Sequence, residues 1–178
     1  MNKRQFSLLI TLYVATTAVA TYGYLPQYLT KKMNRHLNKV FGKEVRYKQM
    51  NIADSLATDH QIFEITIADK VSGYSVITRA LGCKIGGCDK PSTDTISFEE
   101  FFFLTAFDKQ KNIKRVRVLE YTSNHGYQIA NKGWLKQFEK DKTFTVGKNI
   151  DGISGATISA QSITKGVNEQ INILESLF

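Results

Sequence analysis

The chain has 178 residues, 42% hydrophobic and 22% charged, with two prolines and two cysteines, which fits one packed domain plus an appendage and excludes disordered, collagen-like and solenoid architectures. Two cysteines are too few for a disulfide scaffold, a four-ligand zinc site or an iron–sulfur cluster. The net charge of +8 sits in the first 50 residues, where nine Lys/Arg face Glu44 alone; beyond them fifteen basic and fifteen acidic side chains cancel.

Lys3 and Arg4 precede an uncharged stretch whose apolar part runs from Phe6 to about Tyr22, the lower limit for a membrane-spanning helix. Ala18-Val19-Ala20 matches the small-x-small pattern ahead of a signal-peptidase cut. Residues 1–22 therefore read as a signal peptide or a retained anchor, although Lys31, Lys32 and Arg35 just beyond it run against the positive-inside rule. Residues 23–44 read as a basic amphipathic helix or linker and 45–178 as the main domain. Within 27–41, Leu29, Met33, Leu37, Val40 and Phe41 share one helical face, which either packs on the domain or lies on anionic lipid. Strands are expected at Val45–Met50, at Gln61–Ala68 with Phe63, Ile65 and Ile67 on one face, and at Tyr74–Leu81. Phe98–Phe107 reads as a strand buried on both faces, and a polar turn at Lys109–Asn112 joins it to a strand over Ile113–Tyr121. Lys132–Lys140 reads as a short helix burying Trp134, Leu135 and Phe138. A last helix from about Ser159 buries Ile163, Val167, Ile171, Leu174 and Phe178. The class is α+β: a single domain with an antiparallel-rich sheet flanked by helices, behind an N-terminal membrane or signal segment.

The informative stretch is Asp151-Gly152-Ile153-Ser154-Gly155-Ala156-Thr157, a turn of small residues feeding the last helix. Gly155 permits close backbone approach, Ala156 leaves room beside the Thr157 hydroxyl, and the first helical turn offers N–H groups and a positive dipole end that favour a phosphate. On local grounds alone, Ser154 or Ser159 as a simple helix cap explains the stretch as well. The spacing of five specified positions is more selective, arising by chance in roughly one of a thousand chains of this length.

Asp-x-x-(Ser/Thr)-Gly-Ala-(Ser/Thr) closely resembles the flavinylation motif of FMN-binding domains, found in flavoprotein subunits of Rnf-type and Na⁺-translocating NADH:quinone oxidoreductase complexes. The order Val116-x-Val118-x-Glu120, Thr122, Gly126, Trp134-x-x-x-Phe138 and then the motif is also similar to that family, over about residues 73–170. The resemblance implies FMN joined through its phosphate to Thr157 by a separate flavin transferase. Asp151, Ser154, Gly155 and Ala156 would line the loop, and Thr122 and Gly126 would contact the flavin. The family's loop after the Glu carries a Pro and a second Gly that Tyr121–Tyr127 lacks; His125 and Tyr127 are the loop's own aromatic candidates for the flavin ring.

Cys83 and Cys88 flank a Gly-Gly turn; in an exported chain they are expected to form a small-loop disulfide, and in a cytosolic one to be free thiols. Nothing in the sequence places them near Thr157. His36, His60 and His125 have no metal-ligand spacing, and no general acid, base or nucleophile stands out. The expected function is an exported or membrane-anchored, periplasmic or extracytoplasmic electron-transfer flavoprotein with covalent FMN and redox partner proteins at the membrane. The alternative is a non-redox envelope protein binding lipid or a partner through its basic helix. The basic cluster adjoins the leader and has no stacking platform, so nucleic acid is not an expected partner.

Overall fold

A computed structural model describes residues 26–50, 59–84, 98–122 and 124–178. The expected leader over 1–22 and Cys88 lie outside the described residues. Helix α1 spans Gln27–Phe41, and five strands follow: β1 Arg46–Gln49, β2 His60–Ile67, β3 Lys70–Lys84, β4 Phe98–Asp108 and β5 Ile113–Tyr121. They pair antiparallel in chain order, as one β1-β2-β3-β4-β5 meander. A compact connector (a 3₁₀ turn at Tyr127–Ala130, helix α2 at Lys132–Leu135 and a second 3₁₀ turn at Lys136–Glu139) leads through a loop to helix α3, Thr157–Leu177.

The sheet is buried on both faces. On one face α1 lays down Leu29, Met33 and Leu37, all fully buried, against Phe63, Ile65, Ile77, Leu104, Ala106 and Leu119. Packing on the domain is thus what the helix's apolar stripe does, and Lys31, Arg35 and Lys39 are left exposed. On the other face Ile62, Val76, Phe101, Phe103, Phe107 and Val116 meet Ala160, Ile163, Val167, Ile171 and Leu174 of α3, together with Trp134, Leu135 and Phe138 of the connector. Alternate residues of β4 therefore enter opposite cores, which is why its Phe-Phe-Phe-Leu run is uniformly apolar.

Three expectations shift. β3 is 15 residues long and outruns the apolar Tyr74–Leu81 segment at both ends. α3 starts at Thr157, two residues before the expected start. Phe178 is not a core residue: it lies past the helix end, 58% exposed, with its ring 4.8 Å from that of Tyr74. At the opposite end of the sheet, Tyr28 donates to the Glu120 carboxylate and Lys32 Nζ pairs with it at 3.7 Å, so the beginning of α1 is fixed to the end of β5. Among the described residues no helix is long and apolar enough to cross a membrane.

Candidate functional site

The Trp134-x-x-x-Phe138 element holds the start of the motif. Asn131 caps α2, its Oδ1 accepting from the N–H groups of Gly133 (2.8 Å) and Trp134 (3.2 Å). This turns the Trp134 indole so that Nε1 donates to the Asp151 carbonyl at 2.8 Å, while Gln137 Oε1 accepts from the Asp151 N–H at 2.9 Å. The backbone of Asp151 is gripped on both sides and its carboxylate stays in solvent. Just before it, Ile150 is buried and its carbonyl accepts from Gly147 N–H at 2.8 Å.

Beyond Asp151 the chain makes one turn and becomes α3. The Ala156 N–H donates to the Ile153 carbonyl at 3.1 Å, and Gly155 has φ +74°, a left-handed conformation that glycine adopts without strain. A Cβ added at Gly155 would meet nothing within 4 Å, so φ rather than crowding requires glycine there. Ala156 points into the core, fully buried, and its smallness serves packing instead of clearing space beside Thr157. Thr157 is the first residue of the helix and is exposed, as is Ser154. The N-cap position belongs to Ala156 and receives no side-chain hydrogen bond, so neither Ser154 nor Ser159 caps the helix.

Ser159 instead joins the motif to a second wall. Its Oγ is fully buried and lies 2.8 Å from the Tyr121 hydroxyl, which donates to the His125 carbonyl at 2.6 Å. Gly126, buried with φ +83°, fits between them: an added Cβ would collide with the Tyr121 hydroxyl, come within 2.8 Å of Ser159 Oγ and within 3.0 Å of Cys83 Sγ. Cys83 Sγ lies 3.7 Å from Ser159 Oγ and 3.9 Å from the Gly155 carbonyl. Cys83 is disulfide-bonded and fully buried. The fold thus brings Gly126, Gly155 and Cys83 to the helix start that presents Thr157, while Thr122, His125 and Tyr127 are exposed on the loop beside it. The sequence does not single out Tyr121 or place Cys83, and it offers Ser159 only as a helix cap, because their convergence is purely tertiary.

The arrangement suits a phosphate ester. An exposed hydroxyl stands at the positive end of a 21-residue helix with no acidic residue in its first turn and, among the described residues, no side-chain cap competing for its N–H groups. A shallow groove of about 400 Å³, lined by Phe144, Thr145, Val146, Gln161 and Lys165 among others, begins at Gln161, one helical turn beyond Thr157. A larger hollow of about 610 Å³, between Gln110–Asn112 and Glu139–Lys142, includes no motif residue.

Residues 99–172 match the family model of the FMN-binding domain. No curated protein matches the chain. The matched span runs from β4 through most of α3 and contains the Trp134 element and the whole of Asp151–Thr157; it starts at 99, not at about 73, and leaves β3 with Cys83 outside it. Over residues 99–172 the chain is similar to the FMN-binding domain family.

Proposed function

We propose that this chain is an exported or membrane-anchored flavoprotein that carries FMN as a phosphoester of Thr157 and works in electron transfer. The supporting observation is the pairing of an exposed Thr157 hydroxyl with a helix N-terminus that no side chain among the described residues caps. Bound FMN supplies one- or two-electron redox chemistry. The chain's own part is attachment and orientation. Trp134 and Gln137 hold Asp151, Gly155 makes the turn, and Tyr121 with Ser159 fixes the first turn of α3 from the inner side. The N–H groups of that turn then face the ester's charge, and Asp151, Ser154 and Gly155 form the exposed rim that a flavin transferase reads. Covalent attachment suits a chain outside the cytoplasm, where a dissociated cofactor is lost to dilution.

Co-expression with a flavin transferase tests the reading directly. Denatured protein is expected to fluoresce in a gel and to gain the mass of one FMN less water, and Thr157→Ala is expected to lose both while keeping its far-UV circular dichroism. An adduct on another residue, or none in the presence of active transferase, refutes it. A second, non-redox reading draws on α1, whose exposed Lys31, Arg35 and Lys39 lie opposite the buried Leu29, Met33 and Leu37. It requires an unmodified, colourless protein whose binding to anionic vesicles weakens steeply with salt.

A further inference from the structure

Under the attachment loop lies a sulfur that electron carriage through Thr157 does not use. Cys83 is fully buried, at contact distance from the Gly155 carbonyl (3.9 Å) and Ser159 Oγ (3.7 Å). It is disulfide-bonded, and the sequence holds one other cysteine, Cys88. Its strand lies outside the residues that match the FMN-binding domain, so that likeness does not account for it.

Proton bookkeeping shows why the oxidation state matters. Tyr121 gives its hydroxyl proton to the His125 carbonyl, leaving the Ser159 proton to bind Ser159 to Tyr121 or to the sulfur. In a disulfide the sulfur has no proton and only accepts. Reduction adds a donor directed at Ser159 Oγ or the Gly155 carbonyl and cuts the covalent tie near the end of β3. Little slack absorbs the change, since even a methyl group at Gly126 would collide with Tyr121, Ser159 and Cys83.

We propose that the Cys83 disulfide is a redox control on the attachment loop: the chain accepts flavin at Thr157 when the disulfide is formed and accepts it poorly when it is reduced. This rests on the Thr157 reading and orders two reactions, thiol oxidation before flavin transfer. In the first, the Cys83 and Cys88 thiols exchange with the disulfide of a thiol–disulfide oxidoreductase. The chain's S–S bond forms, the oxidant's S–S bond breaks, and two electrons with two protons leave as two thiols on the oxidant. Burial of Cys83 beneath the finished loop places oxidation first.

The test uses the full-length chain in three forms, each confirmed folded by circular dichroism: oxidised; reduced under unfolding conditions and refolded without oxidant; and Cys88→Ala, which keeps Cys83 as a thiol. Each receives FAD and a flavin transferase without cysteines, and the rate of covalent labelling is read by in-gel fluorescence and intact mass. The oxidised chain is expected to label faster by about ten- to a hundredfold, the scale on which small displacements of a positioned group act. Unfolding the reduced wild type and refolding it with oxidised glutathione should restore its rate, and the same treatment should not restore Cys88→Ala, a reversal that mere loss of stability does not produce. Equal rates for oxidised and reduced wild type overturn the redox control and leave the Thr157 assignment intact. No adduct in any form overturns both.

Discussion

Two glycines of the site share a left-handed backbone and differ in what surrounds them, which makes them a matched pair. Gly126 (φ +83°) is walled in by Tyr121, Ser159 and Cys83, whereas Gly155 (φ +74°) faces open space. Alanine at either position meets the left-handed penalty of about 1–2 kcal/mol. At Gly126 the new methyl must also displace groups at 2.8 and 3.0 Å, none of them the loose end of a long side chain, and overpacking of that kind adds about 1–3 kcal/mol. With a chain of this size losing about 2–4 °C of Tm per kcal/mol, Gly155→Ala should cost about 2–8 °C and Gly126→Ala about 4–20 °C, always the larger of the two. Differential scanning calorimetry on the two variants and wild type, with urea midpoints to convert to free energy, measures the gap. Equal losses, or a larger loss at Gly155, would refute the tight packing of the 121–126 loop against the start of α3.

Trp134→Phe keeps the apolar contact but removes the hydrogen bond to Asp151, and is expected to cost about 1 kcal/mol by urea denaturation and to slow flavin acceptance at Thr157. Leu37→Ala, on the opposite face of the sheet from the site, is expected to cost about 2–5 kcal/mol in the single cooperative transition of the whole domain, because α1 is part of the core; a normal midpoint would show that it is not. Burial holds the His36 imidazole down at about 4, with Arg117, Lys39, Arg35 and Arg115 acting in the same direction. The unfolded chain therefore binds the proton first, and stability contributed by neutral His36 is lost as pH falls from about 6.5 towards 4. Because the ring is only half-buried the loss is about 1–2 kcal/mol. His36→Gln should flatten that part of the stability profile, measured as urea midpoints at pH 7, 6 and 5.

What the sequence made legible follows from how locally each feature is specified. The helix over 27–41 and its buried stripe emerge from spacing alone, since Leu29, Met33 and Leu37 recur every four residues. β4 is legible because burial on both faces leaves an unbroken apolar run. The ends of β3 are not: pairing with β2 and β4 carries the strand through Lys70–Gly73 and on to Lys84, where no alternation marks it. The start of α3 was obscured by its cap, Ala156, which supplies no hydrogen-bonding side chain for a reader to find. The same division runs through the site. The motif is contiguous and could be read directly, but Tyr121 and Cys83 reach Ser159 from 38 and 76 residues away, and only the sheet's register sets that distance to zero.

Glu120 and Tyr121 are successive residues of one strand and so project to opposite sides of the sheet. Glu120 holds Tyr28 and Lys32 of the first helix, and Tyr121 holds Ser159 of the last. Both helices therefore begin at the same pole of the molecule. The anchor proposed ahead of Pro26 would draw that pole, and Thr157 with it, towards its mooring, with the far end of α3 about 30 Å away.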